Sequence, residues 1–531
     1  MGLKIVFASI FIFFACLLTL HSQTLDQIGV TALRAVTTNL NGSGIRVAQP
    51  EAEVSTNPPS FEVDPANVGQ STNLFTYISS AGSATVYPNS LGTNSWHAED
   101  VGDLFYGPAS GVATNVAHVD NYDANYFVQG NGVTGNDIIN LPATNINDPV
   151  VNQSFTFGSV STNDQKSIDM AYDNYAAQYG TLFVSAANNG GPVSPPGTSY
   201  NCISVGDYGG SSSYGPTLDN GRAKPDITAP AQETSFSTPQ VAGAAALLMQ
   251  AALRGDGGND TNSAYDIRTI KALLLNGAVK PADWTNNAPS PLDTRYGAGV
   301  LNVLNAYEQL AGGKHGFVAS TTVSTGAAHP PNGATGGIAV LSGWDFNTNS
   351  SGTNSDTVNH YYFNVTNPLA GVEFSGTATL VWNRQQNQSD INSLNLFLYN
   401  CANSNLITCS TSMVDNVEHI YVPQLTQGRY DLQVWKAGGI PGFSIVSAAE
   451  PYALAFEFVL QPTLAIGGGA NPMLTWPLYP AGFLVETATN LISPAWTTNN
   501  LQASGITNGS NYILLNADNA NQFFRLRKPN L

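Results

Sequence analysis

Charge is scarce in this chain. Lys and Arg number 18 and Asp and Glu 36 among 531 residues, which leaves a formal net charge of −18. A field of that sign repels phosphate backbones and anionic lipid, so nucleic acid and anionic membranes are excluded as partners. Cysteine is scarcer still, with four in all. No Cys/His cluster has the spacing of a zinc site, so the sequence offers no transition-metal ligand set. Beyond residue 20 no apolar run is long enough to cross a bilayer.

What is present begins at the N-terminus. Lys4 precedes an uncharged, mainly apolar run from Ile5 to Leu20, closed by His21, Ser22 and Gln23. A basic start and a short apolar core predict a secretory signal peptide over residues 1–22 and an extracellular or cell-surface protein. Cys16 lies inside that run, so three cysteines remain. Cys401 and Cys409 flank a short polar loop and are expected to form a disulfide in an oxidising compartment. Cys202, in the apolar stretch N-C-I-S-V-G, is expected to be a buried free thiol.

Residues 24–312 alternate short β-branched strands with helical patterns near 164–179, 237–253 and 266–278. That alternation predicts an α/β domain, a parallel sheet with helices on both faces and a site at the carboxyl ends of its strands. After Gly313 the helical period gives way to alternating strands, as in H360-Y-Y-F-N-V and L394-N-L-F-L-Y. An all-β sandwich is expected over 314–460 and a smaller β module over 461–531. The helix stop A-G-G-K places the first boundary near residue 313, with two separate cores meeting there.

The most informative segment is E233-T-S-F-S-T-P-Q-V-A-G243, followed at once by an apolar helical run. It puts Ser235 at the mouth of a buried helix, where unpaired N–H groups and the helix dipole favour a developing negative charge. The segment resembles the nucleophile motif of the subtilisin-like serine proteases. Five further stretches resemble that family in the same order: G44-I-R-V-A-Q-P-E51, W96-H-A-E-D-V-G102, V150-V-N-Q-S-F155, V184-S-A-A-N-N-G-G-P192 and K224-P-D-I-T-A-P230. The closing helices I270–A278 and Y296–N302 match as well. The resemblance covers roughly residues 40–312.

The resemblance implies a three-layer subtilisin-like fold and a serine endopeptidase acting on protein or peptide substrates. Ser235 would be the nucleophile, His97 the general base and Glu51 the carboxylate, in the order carboxylate, His, Ser. Glu51 replaces the family's Asp; Asp64 and Glu53 are the alternatives. Asn188 would supply the oxyanion donor, with Asn189 the choice if the register slides by one. Ser154 and Phe155 would bind substrate. Glu233 stands where the family has glycine, and Asp100 where it has a second His. A catalytically inactive binding or adhesion protein is the alternative reading. No cofactor is required, although the oxygen-rich loop 254–262 could hold a structural calcium. Residues 314–460 resemble the jelly-roll modules that follow secreted peptidases, and surface or glycan attachment through the β modules is a further expectation.

Overall fold

The computed structural model describes residues 24–129, 145–324, 336–352, 355–367, 373–438, 445–460 and shorter stretches between 464 and 527. The expected signal peptide, 1–22, lies outside the described residues.

The first half is built on ten strands: β1 (Arg46–Glu51), β2 (Ser60–Glu62), β3 (Phe75–Ser79), β4 (Gly82–Ala84), β5 (Thr93–Asn94), β6 (His118–Asp123), β7 (Val150–Gln153), β8 (Leu182–Ala186), β9 (Ile203–Tyr208) and β10 (Ile227–Pro230). Eight of them form one sheet in the order β10-β9-β8-β7-β1-β6-β3-β4. Every pairing in it is parallel except that of β3 with β4. The inner strands are buried on both faces; β8 is mainly apolar, as parallel strands usually are, whereas β1, β6 and β7 also bury polar side chains such as Gln49, Asn121 and Asn152.

The helices are α1 (Val30–Val36), α2 (Trp96–Tyr106), α3 (Ala124–Gln129), α4 (Thr162–Tyr179), α5 (Thr234–Arg254), α6 (Thr261–Tyr265), α7 (Ile267–Gly277) and α8 (Val303–Ala311). Helix α5 is buried all round, which its Ala-rich composition allows. At Gly243 a Cβ would come within 2.6 Å of Val112, so this glycine lets α5 lie against that loop. Strands β1, β7 and β8 all end at the same edge of the sheet. Glu51 closes β1, Ser154 follows β7, and Asn188 and Asn189 follow β8 by two and three residues.

The second half is a sandwich of antiparallel strands: β11 (Ala319–Ser324), β12 (Ser342–Ser350), β13 (Ser355–Val365), β14 (Phe374–Trp382), β15 (Leu394–Asn400), β16 (Leu406–Ser410), β17 (Val417–Leu425), β18 (Gly428–Lys436) and β19 (Ala449–Leu460). One sheet runs β11-β13-β18-β15-β16, the other β12-β19-β14-β17. Leu380, Trp382, Leu396, Leu432 and Phe456 fill the space between them. Residues beyond 464 add short antiparallel strands around Leu474, Trp476, Val485 and Ile513.

Two expectations meet a different structure. The first concerns the junction near residue 313. Helix α7 packs against β14 and β19. Trp344, Val381, Val417, Ala453 and Ala455 of the sandwich belong to the same buried cluster as the core of the first half. Hydrogen bonds stitch the seam: Trp344 Nε1–H donates to the Leu310 carbonyl at 3.1 Å, and the Asn201 side chain pairs with the Arg384 backbone at 2.8 and 3.0 Å. The change of periodicity marks where helices stop; the sandwich keeps a core of its own, and one flank of it is buried into the core of the first half.

The second concerns the disulfide, which the structure does not contain: Cys401 and Cys409 are free thiols. Cys409 sits opposite Phe397 in the β15–β16 ladder, while Cys401 lies just past the end of β15. Four residues of strand separate those positions, about 13 Å. A disulfide needs Cα atoms within about 7 Å. Cys202 is free and buried, its thiol pushed up to about 12 by burial.

Candidate active site

Helix α2 begins with Ser95 as its N-cap, the Ser95 hydroxyl accepting from the Ala98 N–H at 3.3 Å. That cap fixes the first turn, and His97 projects from it toward the end of β1. His97 Nδ1 lies 2.7 Å from Glu51 Oε2. Glu51 is 1% exposed, so this pair is screened little by water. The other Glu51 oxygen accepts from Gln49 Nε2 at 2.9 Å, which also donates to the Ala98 carbonyl at 2.9 Å. Gln49 Oε1 accepts from the buried Tyr106 hydroxyl at 2.6 Å. The carboxylate is thus held on both sides, by the imidazole and by a Tyr106–Gln49 relay.

Burial pushes the His97 pKa down, and the bond and charge of Glu51, with Asp100 and Glu233, outweigh it; the net shift is upward. Asp64 and Glu53, the alternative acids, lie elsewhere. Asp64 caps a turn by accepting from the Ala66 N–H at 2.9 Å, and Glu53 interacts with Asp123.

Ser235 is the second residue of α5. Its position owes much to Pro239, four residues on. Proline has no N–H, so the Ser235 carbonyl lacks its usual helical donor. The Ser154 hydroxyl takes that role at 2.8 Å. Ser235 Oγ in turn donates to the Ser154 carbonyl at 3.3 Å. The residue after β7 and the mouth of α5 are therefore joined twice. Among the described residues no hydrogen bond links Ser235 to His97. The two side chains nonetheless share a mouth, because Phe236 stands 5.9 Å from the His97 ring, centroid to centroid. Phe155 packs on Phe157 at 6.4 Å, edge to face, beside this segment.

The two asparagines divide differently from the expectation. Asn188 adopts φ 102°, the left-handed region that glycine favours, and its amide donates to Ser194 Oγ at 3.2 Å. Asn189 reaches the helix mouth: its Oδ1 accepts from the Thr234 N–H at 2.8 Å and the Thr234 hydroxyl at 2.9 Å. That fixes the orientation of its amide beside Ser235. Of the two, Asn189 is the one whose side chain meets the first residue of α5. In the 254–262 loop the two acids already have protein partners. Asp256 pairs with Arg254, and Asp260 pairs with Lys314 at 2.7 Å while capping α6.

Gln49, Tyr106, Trp96 and Phe236 went unread in the sequence. Gln49 had a signal, since residues two apart on a strand share a face.

A buried carboxylate–imidazole pair, a serine at a helix mouth and an amide beside it, all at the carboxyl edge of a parallel sheet, make up the set that an α/β serine hydrolase needs. Residues 71–299 match the sequence model of the Subtilase family. That match spans less than half of the chain, and it supports a serine-type endopeptidase. No curated protein sequence matches it. Among solved structures it is similar to a mutant of the protease domain of PatA, at 20% identity and a TM-score of 0.33 over 52% of this chain and 98% of that one. The prenylagaramide maturation protease PagA aligns at 22% identity and a TM-score of 0.34, covering 53% and 98%. A protease from Pseudoalteromonas arctica aligns at 21% and 0.34, covering 51% and 91%.

Proposed function

We propose that this is a secreted endopeptidase working through Glu51, His97 and Ser235, with Asn189 and the Ser235 N–H as the oxyanion donors. The observation that carries the reading is the 2.7 Å Glu51–His97 bond, buried and facing the mouth that holds Ser235. With Nδ1–H committed to Glu51, Nε2 is the free lone pair that can accept the serine proton. Rotation of Ser235 about χ1 would take its hydroxyl from the Ser154 carbonyl to that nitrogen. Oγ then attacks the scissile carbonyl, and His97 holds the proton until it passes to the leaving amine. The developing oxyanion meets two N–H donors at the end of a helix dipole, which favours it further. The extra methylene of Glu51 reaches the imidazole from the last residue of β1, and Gln49 holds the longer side chain in place. Secretion rests on the N-terminal apolar run alone.

A second reading, an inactive binding relative, draws on the resting bond of Ser235 to Ser154 and on the charge of Glu233. A fluorophosphonate probe separates the two. The peptidase reading expects stoichiometric labelling of the purified chain at Ser235, lost in Ser235→Ala. Absence of labelling in a folded sample would favour the binding protein.

A further inference from the structure

The mouth of the site carries a carboxylate that the chemistry above does not use. Glu233 is the N-cap of α5, two residues before Ser235, with φ −140° and ψ 150°. An acidic N-cap ordinarily accepts from the first turn. Glu233 does not: its side chain makes no cap hydrogen bond, and the Thr234 N–H goes to Asn189 instead. It is exposed, and no Lys or Arg pairs with it among the described residues. Asp207, at the end of β9, lies near enough to feel its charge and is itself 6% exposed, with one oxygen lacking a partner. On the His97 side, Trp96 is 60% exposed and stands edge-on to the imidazole at 5.6 Å. The mouth thus offers an unpaired anion, a second one beneath it, and an open aromatic face.

We infer that Glu233 is a specificity-determining residue that selects peptides carrying Lys or Arg beside the scissile bond. The inference rests on the peptidase reading. A peptide seated across Ser235 covers Glu233 and strips part of its water. An acidic substrate residue there meets a like charge and leaves two anions poorly hydrated. A Lys or Arg residue gives the carboxylate a charge-assisted hydrogen bond, stronger than a neutral one and stronger than the same pair left in open water. The Trp96 face suits the same cation.

The test uses the full chain and a fluorogenic peptide series in which Arg, Gln or Glu is walked through each position on both sides of one cleavage site. Wild type should prefer Arg over Gln by roughly 5- to 50-fold in kcat/KM at one position adjacent to the cleavage site, the preference shrinking as salt rises. Glu233→Gln should reduce it to within about twofold, and Glu233→Lys should invert it toward Glu. Hydrolysis without such a preference, or a preference unchanged in Glu233→Gln, overturns the inference and leaves the peptidase reading intact. No hydrolysis of any peptide by wild type removes both.

Discussion

Cutting the chain after residue 313 should unfold its first half. The sequence alone suggests a clean break there, and the buried cluster that crosses it says otherwise. Truncation strips Trp344, Val381 and Val417 from the surface of α7 and α8, leaving apolar side chains in water where a wall of the sandwich had been. Each such burial contributes roughly 2 kcal/mol, about 6 in total. The seam also loses Asn201–Arg384 and the bond from the Ala223 N–H to Asp415. Released polar groups can rehydrate, so the apolar exposure dominates. A domain is stable by only about 5–15 kcal/mol, so a loss of this size consumes most of it. The truncated chain should bind a hydrophobic dye, lose its near-ultraviolet circular dichroism and melt without cooperativity, or precipitate. Trp344→Ala in the full chain should cost about 3–5 kcal/mol in urea unfolding, the usual range for a buried Trp. A soluble 1–313 chain with a cooperative melt within a few degrees of the full protein would refute the shared core.

Glu51→Gln should lower the hydrolysis rate by about four powers of ten while peptide affinity changes little, because an amide holds the imidazole in the wrong tautomer. The same variant should shift the acid limb of its residual pH–rate profile. Glu51 raises the His97 pKa and the base must be unprotonated, so removing that charge moves the limb to lower pH. An acid limb that stays in place would separate Glu51 from the base. Thiol titration of the protein, after removal of small-molecule disulfides, should give one equivalent each at Cys401 and Cys409, slowly. Burial raises both thiols, Cys401 to about 11. Mass mapping that finds the two bridged would contradict the ladder register of β15 and β16.

Much of the site could be read from the sequence because its parts sit where chain chemistry changes. Glu51 ends a strand, His97 and Ser235 open helices, and each transition leaves a local mark. Asn189 was harder. Two asparagines before glycines carry the same composition, and what separates them is a backbone angle. Asn188 fills a left-handed position, one of the few side chains that tolerate it, and the amide that meets the helix mouth is the next one along. The Cys401–Cys409 spacing misled for a related reason. Sequence distance counts residues, whereas a hairpin register decides which of them stand opposite each other. The seam at residue 313 left no trace because alternation shows that a strand has an apolar face and never says what covers it. Thr377 and Thr379, which meet Asn276 of α7, look like ordinary solvent-facing positions.

The missing N–H of Pro239 has a mechanical consequence. In an ordinary helix a residue near the start is referenced to the turn that follows, so bending or fraying carries it along. Here the carbonyl of Ser235 is released from that ladder and fastened to the residue that follows β7. Ser235 is therefore indexed to the sheet, which also carries Glu51. On the proposed reading, anything that grips the 154–157 segment pulls directly on Ser235. A peptide lying along that segment would seat the nucleophile by the same contact that binds it.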